Sequence, residues 1–205
     1  GSTIIGSQLV GESNNIIGMT NFRDRDGSNH AFLAAVNAAG DATSVIYNVV
    51  SGAALRTGGT ANAVYRFETF LDEVVFVNGT DTPQAWAGTG TFAASTNLGT
   101  ANMQATSIDI INYKDRLWTL TAQGILYGSS IPAASAYNTI SWSSGNKTIA
   151  IDPDATSYTG ACIGLARVSG LLLIFKERSL YTFNGSATQA DFLYDVGCSS
   201  VRSIA

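Results

Sequence analysis

Four times along this chain an apolar strand, a tight turn and a second apolar strand follow one another. This repeated hairpin constrains the fold more than any single residue does. The sharpest copies are Tyr65-Arg66-Phe67-Glu68-Thr69-Phe70, which turns at Leu71-Asp72-Glu73 into Val74-Val75-Phe76-Val77, and Ile108-Asp109-Ile110-Ile111-Asn112-Tyr113, which turns at Lys114-Asp115 into Arg116-Leu117-Trp118-Thr119-Leu120. A third runs from Ile163 to Val168, turns at Ser169-Gly170 and returns from Leu171 to Phe175. A looser first copy runs from Ile16 to Phe22, through a polar turn at 24–29, into Ala31 to Val36. A lone hairpin cannot bury its apolar face, so several must stack.

The spacing selects the kind of stack. Asp72 and Asp115 lie 43 residues apart, Asp115 and Gly170 lie 55 apart, and Gly27 precedes Asp72 by 45. Four-stranded propeller blades occupy about 40–50 residues, whereas leucine-rich and helical repeats are mostly shorter or helical. The long third interval holds the polar stretch 141–159, which reads as an inserted loop. The expected architecture is all-β, a β-propeller-like array of about four to five antiparallel four-stranded blades. It forms one domain over 1–205, with units near 12–58, 59–104, 105–160 and 161–205, the last incomplete.

Charged residues make up 13% of the chain, against roughly 25% in an average globular protein. Short Val, Ile, Tyr and Phe runs are bounded by Gly, Asn, Asp and Ser, as strands are. The Ala-rich segment 31–39 suits a helix by propensity, yet 44–50 follows across Gly40-Asp41 as a strand partner, so a strand is expected. No window of 18 uninterrupted apolar residues exists, so no transmembrane helix is expected, and 1–14 has no signal-peptide pattern. A net charge of −4 lacks the basic footprint of nucleic-acid binding.

Two cysteines are too few for a disulfide framework. Cys162 and Cys198 open comparable segments and could approach one another if they stood on neighbouring inner strands; buried free thiols are the simpler expectation. The segment 201–204 resembles the opening of a fifth unit, and 3–10 is strand-like. Either the termini pair to complete a blade, or the chain is a fragment of a longer protein.

The order of these phrases resembles the β-propeller-type virion structural proteins of tailed bacteriophages and prophages, of neck, tail-tube or nozzle kind. The resemblance rests on Tyr65-Arg66-Phe67 followed by Asn78-Gly79-Thr80-Asp81-Thr82-Pro83-Gln84 and Trp86-Ala87-Gly88, and on Asp115-Arg116-Leu117-Trp118 followed by Ile125-Leu126-Tyr127-Gly128-Ser129 and Trp142. It continues through Phe175-Lys176-Glu177-Arg178-Ser179-Leu180-Tyr181, Gly185 and the run from Val196 to Ile204. It covers about 60–205 and is weaker before. It implies a virion location after synthesis in a bacterial cytoplasm, no cofactor, and partners among other virion subunits or copies of itself.

Each phrase is also legible as structure. Asn78-Gly79 and Asn184-Gly185 are turn dipeptides, and Pro83 halts a ladder. Trp86, Trp118 and Trp142 are expected between blades, where aromatics dominate packing. Asp24-Arg25-Asp26-Gly27 and Asp152-Pro153-Asp154 pair carboxylates but lack the further oxygens and terminal Glu of a calcium loop. The sequons at Asn78, Asn146 and Asn184 read as turn chemistry.

A catalytic constellation is hard to build. His30 is the only histidine, and no Gly-x-Ser-x-Gly elbow, P-loop or dinucleotide fingerprint is present. Glu68, Asp72, Asp109 and Asp115 could ring a central channel, but no pair has the marks of a glycosidase. No catalytic, cofactor-binding or metal residue is assigned, and the binding residues are left open. The expected function is a non-enzymatic structural one. The alternatives are a carbohydrate- or receptor-binding module using loops 89–105 and 133–159 with Tyr137, Trp142 and Tyr158, and a glycan-cleaving propeller.

Overall fold

The structure, a computed structural model, describes residues 15–38, 42–132, 139–142, 147–151, 160–186, 188–195 and 197–200. Each repeated phrase is the first hairpin of a sheet. Blade 1 holds β1 (Ile16–Arg23), β2 (His30–Asn37), β3 (Ser44–Asn48) and β4 (Ala54–Gly59), paired in that order. Blade 2 holds β5 (Arg66–Phe70), β6 (Glu73–Val77) and β7 (Gln84–Trp86). Blade 3 holds β8 (Ser107–Tyr113), β9 (Arg116–Thr121), β10 (Ile125–Gly128) and β11 (Lys147–Ala150). Blade 4 holds β12 (Cys162–Val168), β13 (Leu171–Lys176), β14 (Leu180–Phe183) and β15 (Asp191–Tyr194). All pairs are antiparallel, and β1 packs on β5, β5 on β8 and β8 on β12. The fold is the expected all-β, propeller-like array.

The Ala-rich segment is strand β2, because it pairs on both edges: Val36 lies opposite Ile16 on one side and Val45 on the other. Tertiary pairing overrides helix propensity here. The unit at 161–205, expected to be incomplete, has four strands; the short sheet is blade 2. There Gly88 (φ 93°) and Gly90 (φ 67°) turn the chain out of strand geometry after β7. The outer strand shrinks to one bridge, Ala85 opposite Ala93. Leu98 and Met103, flanking a 3-10 turn at Thr100–Asn102, are buried in its place.

Three of the hairpins turn on two residues of positive φ: Leu71 (50°) and Asp72 (61°), Lys114 (49°) and Asp115 (58°), Ser169 (47°) and Gly170 (79°). Such mirror-image turns match the twist of the flanking strands. Three apolar clusters follow, one per blade interface. Ile17, Phe22, Leu33 and Ile46 meet Val74, Phe76 and Trp86. Val75 and Val77 meet Ile110 and Leu117. Trp118, Leu120 and Leu126 meet Leu165, Leu172 and Phe183.

The strands expected at 3–10 and 201–204, Asp152-Pro153-Asp154, Tyr137 and Tyr158 lie outside the described residues. Among the described residues no helix is long and apolar enough to cross a membrane.

Candidate functional site

The innermost strands of all four blades surround a cavity of about 410 Å³, lined among others by Met19, Glu68, Asp109, Ile111, Arg167 and Val168. Arg66, Asp109 and Gly164 stand at equivalent places on β5, β8 and β12, counted back from each turn. The Asp109 carboxylate joins three blades. Its Oδ1 accepts from Arg66 Nε at 3.0 Å and from the Ile110 amide at 2.9 Å, while Oδ2 accepts from the Leu165 amide at 2.7 Å. Burial raises the Asp109 pKa, with Arg66 opposing it.

Glu68 lies beside it on β5. Burial raises its pKa too; the Asn112 amide and Arg167 oppose the shift and the Asp109 charge adds to it. Arg167 itself donates to the Asn112 carbonyl at 2.7 Å. The two acids therefore share a cavity, but Asp109 is fully engaged by donors. A carboxylate held in this way ties strands of three blades together.

A second polar cluster lies between blades 1 and 2, and it accounts for the Asn-Gly-x-Asp-x-Pro-Gln phrase. Asp81 Oδ2 accepts from Arg56 Nη2 at 3.0 Å, the Thr60 amide at 3.0 Å, Asn78 Nδ2 at 2.8 Å and the Tyr65 hydroxyl at 3.1 Å. Its Oδ1 accepts from the Thr60 hydroxyl at 2.6 Å. Burial works against ionisation, but the Thr60 hydroxyl and amide, Asn78 and Arg56 together hold the Asp81 pKa at about 2. Arg56 also donates to Gln84 Oε1 at 3.2 Å and lies over the Phe76 ring, 4.8 Å from its centroid. Asn78 closes its own turn by accepting the Thr80 and Asp81 amides. Asn184 accepts the Ser186 amide in the same way.

The other sequence candidates separate by place. Asp72 and Asp115 sit in hairpin turns, away from the channel. Asp24 folds its own loop: burial opposes the shift, but the Asn29 amide and side chain and Ser28 hold its pKa at about 2. Among the described residues no group of three or more His, Cys, Asp and Glu side chains is placed to hold a metal. His30 meets Asn21 at 2.8 Å on the surface. Cys162 and Cys198 are not joined in a disulfide, and Cys162 is buried between blades 3 and 4. The three tryptophans stand between blades as expected, each indole N–H donating to a backbone carbonyl: Gly90, Tyr113 and Leu98. Sequence reasoning missed Arg56, Arg66 and Asp81 as clamps. The fixed spacing of Arg66 and Asp109, one repeat apart, was the available signal.

No family model and no curated protein matches this chain. Solved structures do. The computationally designed Ika4 protein matches with a TM-score of 0.50 at 11% identity, over 84% of this chain and 92% of its own. Sqt1 of Saccharomyces cerevisiae matches with a TM-score of 0.53 at 11% identity, over 91% of this chain. The likeness is one of propeller-like fold. This chain spans 50% of the Sqt1 chain. BBS1N, solved in complex with ARL6DN, matches at 8% identity and a TM-score of 0.46, over 86% of this chain and 52% of its own.

Proposed function

We propose that this chain is a non-enzymatic structural protein that acts through protein–protein contacts of its blades and loops, as a tail or neck component of a tailed-phage particle. The observation that carries the protein-contact reading is the placement of its exposed large apolar side chains. Ile16, Met19, Phe32 and Val50 belong to blade 1, Ile131 to blade 3, and Val168, Leu171, Phe192, Leu193 and Tyr194 to blade 4, with Met19 and Val168 facing the cavity. Apolar patches at two ends of a stack mark places where another protein sits. The virion assignment rests on the resemblance of the blade phrases.

Two observations favour this over the alternatives. The engaged state of Asp109 argues against a free acid–base pair in the channel. Trp142, a candidate platform for a sugar, packs against the core between blades 2 and 3 instead.

Mass spectrometry of particles purified from a host that carries the gene tests the virion role. The expected result is this chain at a fixed ratio to the other particle proteins. Its absence from particles, together with saturable binding on a glycan array, would transfer the reading to the carbohydrate-binding module.

A further inference from the structure

The first residue after a hairpin turn can be compared between blades through its cross-strand partner. Glu73 opposite Phe70 holds this place in blade 2, Arg116 opposite Tyr113 in blade 3 and Leu171 opposite Val168 in blade 4. Glu73 is buried, and its Oε1 accepts from Asn97 Nδ2 at 2.7 Å. Among these three blades, blade 3 alone puts a cation at the position, and two lysines join it.

Arg116 and Lys147 lie on the face of blade 3 that packs on blade 4. Arg116 shares the side of Trp118 by strand alternation, and Trp118 is aligned with Lys147 through Gly128. Trp118 and Phe183 fill the seam, with ring centroids 5.0 Å apart. Lys147 Nζ lies 5.9 Å from the Phe183 centroid and donates to the Gly185 carbonyl at 2.8 Å. Lys114 Nζ, from the turn, donates to the adjacent Asn184 carbonyl at 2.7 Å. Arg116 donates to the Ser129 carbonyl. Backbone carbonyls thus gather three cations at one rim of the seam. An ammonium has three N–H donors and a guanidinium five, so most of theirs remain for a ligand.

Among the described residues none of the three is in an ion pair; those found join Arg25 to Asp72, Arg56 to Asp81 and Arg66 to Asp109. Asp115, beside Lys114 in the turn, is exposed and takes part in none of them. Desolvation lowers the Lys147 pKa, and the Arg116 charge adds to the shift. Like charges held together disfavour one another until an anion comes between them. We infer that this rim binds an acidic segment of a protein partner, a carboxylate taking the N–H groups that Lys114, Arg116 and Lys147 leave unused. The inference rests on the protein-contact reading above and names the chemistry of the partner. The planar guanidinium matches the two oxygens of a carboxylate. Ile131, two residues beyond the Ser129 carbonyl that holds Arg116, is 52% exposed, so apolar surface adjoins the cations along the chain. With a net charge of −4 the chain repels a nucleic acid, charged along its whole length, so a short acidic segment is the better occupant.

The test measures fluorescence anisotropy of labelled hexaglutamate and hexaglutamine peptides on the full chain at low salt. Hexaglutamate should bind and hexaglutamine should not. Arg116→Gln and Lys147→Gln should each weaken hexaglutamate binding about tenfold, the weight of one charge-assisted hydrogen bond. Arg178→Gln, which removes an exposed cation from another turn, should leave it unchanged. A second measurement needs no variant: on the wild type, hexaglutamate should protect Lys114 and Lys147 from acetylation and leave the buried Lys176 as it was. Equal affinity for the two peptides would overturn the inference, as would an equal loss in Arg178→Gln or unchanged acetylation of both lysines. Tighter binding of a labelled oligothymidylate of equal charge would overturn the acidic segment as the occupant. The protein-contact reading is decided separately, by whether purified particles hold this chain.

Discussion

At the scale of single residues, buried acids set the order of the blades, and two of them respond to pH in opposite directions. Asp81 has its pKa lowered to about 2 from an ordinary 3.8. Its contribution is therefore complete above the ordinary carboxylate range and is lost as pH falls through the folded-state value. Asp81→Ala leaves the Arg56 guanidinium without its carboxylate and should cost about 3 kcal/mol at neutral pH, read by urea denaturation. The loss should shrink on acidification towards pH 2, where the wild-type carboxyl is itself being protonated. Glu68 behaves the other way. Its raised pKa means that ionisation disfavours the folded state, so its unfavourable effect is absent at low pH and grows as pH rises through the carboxylate range. Glu68→Gln should raise the melting temperature at pH 7 and leave it unchanged in acid. Asp109→Asn should destabilise by about 2–4 kcal/mol, because Arg66 loses its charge partner and one of the two acceptor oxygens becomes an NH2 donor facing a backbone or guanidinium N–H.

At the scale of elements, the hairpins and their turns carry the fold. Asp115 adopts a left-handed φ of 58° in an exposed turn, which disfavours a residue with a Cβ by about 1 kcal/mol. Asp115→Gly should therefore stabilise the protein by roughly 0.5–1 kcal/mol, measured as a higher denaturation midpoint. Gly18 is the opposite case, since a Cβ there would lie 2.5 Å from the Tyr65 carbonyl oxygen where β1 meets β5. Gly18→Ala should cost about 1–3 kcal/mol by forcing blades 1 and 2 apart. The hairpins were legible in the sequence because apolar runs and turn residues alternate at short range. The turn at Leu71-Asp72 was legible mainly by position, since Leu71 does not favour positive φ although Asp72 tolerates it; strand twist imposes that geometry. The loss of the outer strand in blade 2 was not legible. It depends on Leu98 and Met103 finding a core between two blades, a contact no local pattern encodes.

At the scale of the whole molecule, the proposed function lies in faces rather than in a reactive centre. The propeller-like array could be read from the repeat interval, but the clamps at Asp81 and Asp109 could not. Their partners Arg56, Thr60, Arg66 and Leu165 come from other strands and other blades, so burial and pairing appear only once the sheets are stacked. Light scattering of the wild-type chain across a concentration series tests the central proposal, that this protein acts through protein–protein contacts, most directly. The expected result is a mass above the 21.4 kDa of one chain that falls on dilution. A mass that stays at that of one chain to the highest concentration would contradict it.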